Sequence, residues 1–176
     1  MPRRGEESAE AYEMKKLLFR IGKHFGYEVD IEEEPETELG GVGIRYDVIW
    51  YQKYPEWYKG LIENALKRDD LKEEYREILE RKLRLKRWPI AAFEIETSDR
   101  QTKFMKGDIF NLTLVPFGVC VVLLEKKEAK ENGRKEYIKN RFEKVLVEFR
   151  KVFGINNMII VSFSDIDGYA RSLGLL

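Results

Sequence analysis

Cysteine is almost missing from this chain. Cys120 is the only one among 176 residues, so the sequence offers neither an internal disulfide nor a cysteine-based metal site. An intracellular, cytoplasmic setting is therefore the default expectation. The cysteine lies in the apolar run 118–124 and reads as a small buried side chain. No stretch approaches the roughly 20 apolar residues of a membrane span, and residues 1–13 hold no apolar core of the kind a secretory signal needs. The expectation is a soluble protein with no membrane partner. Net charge is missing too: 32 basic residues balance 32 acidic ones, so any footprint for nucleic acid must be local. A phosphate loop is also absent. The glycine-rich stretch 40–43 precedes a strand and lacks the Lys-Ser/Thr pair, so it reads as a turn. The segment 165–168, Asp-Ile-Asp-Gly, lacks the remaining ligands of a calcium loop. Repeats and low-complexity linkers are absent, and the length suits one domain spanning 1–176 better than two.

What is present is a core and a pattern. Hydrophobic residues make up 43% of the chain and aromatics 12%, enough to fill a globular interior. Charged residues reach 36%, a surface habit shared with heat-adapted proteins. Ala11, Met14, Leu18, Ile21 and Phe25 recur at helical spacing and predict a helix over 8–25, capped by Ser8 and stopped by Gly26. A strand over 27–34 follows, with Tyr27, Val29 and Ile31 on one face and Pro35 at its end. A second strand spans 44–51. Between Pro55 and Arg87 the pattern predicts two charged helices split near 68–70, the second capped by Asp69 or Asp70. Pro89 closes that excursion, and 90–96 is a third strand.

A helix over 97–115 turns Phe104, Ile109 and Leu112 inward and is weakened at Gly107. The continuous apolar run from Phe117 marks a strand covered on both faces. A long helix from Lys130 to Phe153 buries Tyr137, Ile138, Phe142, Val145, Leu146 and Phe149. A last strand spans 158–163, and 167–176 has no assigned form. The first three strands suit antiparallel pairing, while the later ones need helical crossovers and lie parallel. The predicted fold is α/β, a mixed sheet flanked by helices, with a helical insertion at about 55–88.

The chemistry concentrates in the third strand. Alternation sets Ile90, Ala92, Glu94 and Glu96 on one face and Ala91, Phe93 and Ile95 on the other. Glu94 and Glu96 then have Cα atoms about 6.6 Å apart. Asp47 stands among Ile44, Tyr46, Val48, Ile49 and Trp50, where an acid has no packing reason to be. If these strands pair, three carboxylates share one patch and repel, and a divalent cation is the usual remedy. On an exposed sheet face the same two glutamates would need only nearby lysines. Both readings stay open on the residues alone.

An acid in one strand, acid-x-acid in the next and then a helix resembles the PD-(D/E)XK nuclease superfamily. Its helix–strand–strand–strand–helix–strand core is also the order read above, over all but 55–88 and the tail. The resemblance implies a restriction-endonuclease-like core and a metal-dependent endonuclease that hydrolyses DNA phosphodiester bonds with Mg²⁺, or Mn²⁺ in its place. It implies Asp47 and Glu94 as metal ligands, with the Ile95 carbonyl nearby, and a further acid from the first helix, Glu13 or, in second place, Glu10. Glu96 departs from the pattern, since most members carry Lys there, although some restriction enzymes have Glu and remain active. Glutamate at this place can accept a proton from the attacking water or bind a second ion. Lys103 or Lys106 on the following helix would then supply the displaced positive charge.

The implied DNA contacts are Arg84, Lys86 and Arg87 on a basic helix, with Arg100, Lys103 and Lys106; RNA is not excluded. Many members pair to cut two strands, which makes a homodimer an expectation. The other readings are a catalytically inactive nucleic-acid- or partner-binding module on the same fold, or an assembly role for the 55–88 helices. Residues 81–87 also read as a plain solvated helix face, His24 as a capping or surface histidine, and Trp57 and Tyr58 as packing residues. Asp47→Asn, by relieving acid–acid repulsion, is expected to leave the fold intact or firmer.

Overall fold

The computed structural model of the chain describes residues 8–31, 45–97, 102–122 and 132–176, with the side chains of all of these except 102–105 and 132–139. In chain order the elements are α1 (Ala9–His24), β1 (Glu28–Ile31), β2 (Val48–Lys53), α2 (Glu56–Ala65), α3 (Glu73–Leu85), β3 (Arg87–Glu96), α4 (Thr102–Leu112), β4 (Phe117–Val122), α5 (Asn132–Phe153), β5 (Met158–Ser162) and α6 (Phe163–Ser172). The five strands form one sheet in the order β1-β2-β3-β4-β5. Pairing is antiparallel from β1 to β3 and parallel from β3 to β5. The α/β mixed sheet flanked by helices is therefore as the sequence order predicts. Among the described residues no helix is long and apolar enough to cross a membrane.

Two cores sandwich the sheet. Met14 and Leu18 of α1 pack with Val48, Ala91, Phe93, Ile95 and Val121 on one face, where α6 adds Phe163 and Ile166. On the other face Ile109 and Leu112 of α4 and Phe142, Val145 and Leu146 of α5 meet Ile49, Ala92, Cys120 and Val122. Cys120 is buried, as its apolar run predicts. α1 starts where Ser8 accepts the Ala11 N–H at 3.1 Å, and ends where Gly26 takes a φ of +79°. Gly22 lets the helix approach the sheet. A Cβ there would lie 2.6 Å from Val29 Cγ2 and 2.7 Å from Trp50 Nε1. The inward row closes at Ile21, because Phe25 sits beyond the last turn and is 46% exposed.

Several boundaries differ from the sequence reading. β2 begins at Val48, not Ile44, so Asp47 stands at the mouth of the strand and not within it. Lys72 takes the N-cap position of α3 without a side-chain cap. Asp70 instead receives Arg68 in a two-point contact, Nε at 2.9 Å and Nη2 at 2.7 Å. Pro89 lies inside β3, where the ladder slips between Trp50 and Tyr51; a bulge tolerates a residue with no N–H to donate. The final segment is the helix α6, closed by a reciprocal cap. Ser162 N–H donates to Asp165 Oδ2 at 2.7 Å and Asp165 N–H to Ser162 Oγ at 3.3 Å. The predicted turn at 40–43, the end of the first strand and the inward roles of Phe104, Tyr137 and Ile138 lie outside the described residues and side chains.

Candidate functional site

Register brings Asp47 to the acidic strand. Val48 pairs with Phe93 in the antiparallel ladder, so Asp47, one residue earlier, faces the Glu94 position. Its Oδ2 accepts the Ile95 N–H at 2.7 Å. The carboxylate thus takes the place of a ladder carbonyl at the end of β2, giving the Ile95 amide the acceptor a buried donor needs. The second oxygen, Oδ1, lies 3.2 Å from Lys15 Nζ, and the Lys15 side chain is 6% exposed against 27% for Asp47. Lys15 follows Met14 on the inward side of α1. An amide and a buried ammonium therefore engage one oxygen each.

On β3, Glu94 is partly buried and Glu96 only 2% exposed. They align with Cys120 and Val122 of β4, on the side that α4 and α5 cover. Burial pushes the Cys120 thiol well above its ordinary value, and the charges of Glu96, Glu94, Asp108 and Asp47 push the same way. Four carboxylates therefore act on one buried sulfur, which marks an acidic focus at this end of the sheet. Tyr46 plugs it from the β2 side. Its phenol donates to the Asn111 carbonyl at 2.7 Å, and burial, then the Glu94 charge, hold its proton well above the usual range.

Two members of this cluster escape the sequence reading. Lys15 lies between Met14 and Leu18 in an apolar row, where a base facing the sheet is itself a signal. Asp108 precedes the fully buried Ile109 and stands four residues before Leu112, on the border of the inward face of α4.

The remaining candidates scatter. Glu13 projects to solvent, its side chain 61% exposed, and pairs with Lys16 at 2.9 Å; Glu10 is exposed as well. The structure brings neither to the cluster. Lys106 is exposed on α4, the Lys103 side chain is outside those described, and so is Arg100. Arg84 and Lys86 are exposed at the end of α3, where Lys86 takes a φ of +57°. That left-handed residue ends the helix, so Arg87 is not part of a basic helix but opens β3. Arg87 reaches Asp30 at 2.6 Å and Glu28 at 3.4 Å and stacks its guanidinium 4.0 Å over the Tyr51 ring. It ties three strands together. His24 is exposed at the end of α1, and Trp57 is 68% exposed while Tyr58 packs on Tyr54.

The donor chemistry suits a hard cation. Mg²⁺ takes oxygen ligands, keeps several waters, and is commonly held by one or two carboxylates together with substrate phosphate. Asp47, at the mouth of β2, and Glu94 of β3 supply such oxygens. Among the described residues no three His, Cys, Asp or Glu side chains converge as a metal-holding group, so Asp47, Glu94 and Glu96 are neighbours here and not a three-ligand cage. No family model, curated protein or solved structure matches the chain.

Proposed function

We propose that this protein is a metal-dependent nuclease that hydrolyses DNA phosphodiester bonds, built on a core of the PD-(D/E)XK kind. The observation that carries the reading is the Asp47 carboxylate held 2.7 Å from the Ile95 amide, between the two acids of Glu94-x-Glu96. The antiparallel-then-parallel strand order supports it, as does the acidic focus around Cys120. Asp47 and Glu94 would hold the magnesium ion. When bound, the ion offsets phosphate charge and makes a coordinated water more acidic. The chain's own groups do the rest. The Ile95 amide fixes the Asp47 carboxylate in one orientation. Glu96, deep in the cluster, accepts a proton or orients the water. Arg84, Lys86 and Lys106, all exposed, meet phosphates outside the cluster. Cutting both strands of a duplex would use two copies of the chain.

A second reading has its own observation. Both Asp47 oxygens are engaged without an ion, by Ile95 and Lys15, which is also how a non-catalytic nucleic-acid-binding module on this fold would settle its charges. Incubation of a mixed DNA pool with Mg²⁺, then Mn²⁺, separates the two. The nuclease reading expects cleavage that falls roughly 10²-fold or more in Glu94→Gln and Glu96→Gln, as losing a ligand or general base commonly does, with circular dichroism unchanged. Binding of DNA without cleavage by the parent would leave the second reading standing.

A further inference from the structure

Lys15 lies where its packing needs no charge. The inward side of α1 also carries Ala11, Met14 and Leu18, all buried against the sheet, and an unbranched apolar side chain would continue that row. An ammonium placed there has to be matched, since removing one from water is costly unless a partner and hydrogen bonds replace the lost hydration. Its Nζ stands 3.2 Å from Asp47 Oδ1. The other Asp47 oxygen is committed to the Ile95 amide at 2.7 Å. Lys15 therefore occupies the oxygen through which Asp47 would reach a divalent cation, and two cations at contact distance of one oxygen repel.

We propose that Lys15 is an exchangeable counter-ion for Asp47. It holds Oδ1 while no divalent cation is bound and yields that oxygen when one binds. Cation affinity is then set by competition with a tethered ammonium. The inference rests on Asp47 being a metal ligand, as proposed above. The arrangement keeps neighbouring carboxylates compensated in the empty protein. It also couples ion and substrate, because a phosphate oxygen is the natural new partner of a displaced ammonium.

The test compares Mn²⁺ titrations of the parent, Lys15→Met and Lys15→Arg, read by calorimetry or by the spin-resonance signal of free Mn²⁺. Methionine keeps the unbranched shape and removes the competitor, so Lys15→Met should bind Mn²⁺ about tenfold more tightly or better, while Lys15→Arg, still charged, stays near the parent. The parent provides an independent measurement. Acetylation of the Lys15 amine, followed by mass spectrometry, should rise as Mn²⁺ saturates the site. That rise should vanish in Asp47→Asn. The labelling arm decides alone if Lys15→Met does not fold. An unchanged Mn²⁺ affinity in folded Lys15→Met, or unchanged Lys15 labelling in a parent that does bind Mn²⁺, overturns the exchange and leaves the metal site standing. If neither the parent nor Lys15→Met binds Mn²⁺, the exchange and the metal reading fall together.

Discussion

Asp47→Asn is the sharpest perturbation, because sequence and structure give opposite signs for it. On the sequence, removing one of three clustered acids relieves repulsion and should leave the fold as firm or firmer. In the structure, the same change takes a counter-charge from a lysine whose side chain is 6% exposed. Asparagine can still offer an oxygen to the Ile95 N–H, and its amide then points N–H donors at the Lys15 ammonium in place of an acceptor. Breaking a fully buried pair from one side costs about 3–5 kcal/mol. Asp47 is 27% exposed, so water reaches the pair, and we expect about 2–3 kcal/mol.

For a chain of this length that lowers Tm by roughly 5–10 °C. The assay is thermal melting at neutral pH in chelator, with a urea series to check that the slope is unchanged. Combining Asp47→Asn with Lys15→Met removes both charges. The double variant should recover at least about 1 kcal/mol relative to the sum of the singles, as expected of residues in direct contact. A Tm for Asp47→Asn within a degree of the parent, or strict additivity in the cycle, would refute the idea that this pair matters to the empty protein.

Two other outcomes follow from the same geometry. Arg84→Gln and Lys86→Gln should each flatten the slope of log DNA affinity against log salt by about 0.9 per lost phosphate contact, whereas Arg87→Gln, taken from Asp30 and Tyr51, should lower Tm and leave the slope alone; an unchanged slope in the first two returns α3 to a solvated face. Alkaline pH should destabilise the fold in steps. The unfolded chain loses the Cys120 proton near 9.0 and the Tyr46 proton near 10.0, while the folded chain holds both to higher pH. Above pH 9 the unfolded state therefore binds fewer protons, and stability falls by about 1.4 kcal/mol per pH unit for each group. Cys120→Ala should remove the first step, and melting curves from pH 8 to 11 that match the parent's slope would contradict the buried thiol.

The strand order was legible because each strand kept one clear local signature. β3 alternates, β4 is apolar on both faces, and β5 is short and β-branched. The onset of β2 was not, since Ile44, Arg45 and Tyr46 have a strand-like composition while Tyr46 is spent as a plug bonded to Asn111. Arg87 joins a basic run in sequence, and only the left-handed Lys86 separates it from α3. Of the candidate site, Asp47 and the Glu94-x-Glu96 pair could be singled out as acids in apolar company. Lys15 could not be assigned a role, because its partner lies in another element and long-range pairing leaves no periodic trace. Asp108 sits on the edge of a helical face, where an acid usually means solvent. The cap of α6 went unread as well: Ser162 and Asp165 stand at the spacing of a capping box, but Ser162 and Phe163 continue the β-branched run of β5 and read as strand.

Stability alone does not call for a lysine at 15 and an aspartate at 47. A buried ion pair replaced by well-packed hydrophobic groups of similar volume is often neutral or more stable by about 1–4 kcal/mol. Methionine at 15 would continue the apolar row of α1, and asparagine at 47 would still serve the Ile95 amide. The charged pair therefore gives the fold little that a neutral pair would not. What it would add, on the exchange proposed above, is a response to ions: a carboxylate already aimed, and a counter-charge that another cation could displace. A structural pair would show its whole effect in the melting temperature of the empty protein. An exchangeable one shows it in the dependence of that temperature on Mn²⁺, which Lys15→Met should steepen and the double variant with Asp47→Asn should abolish.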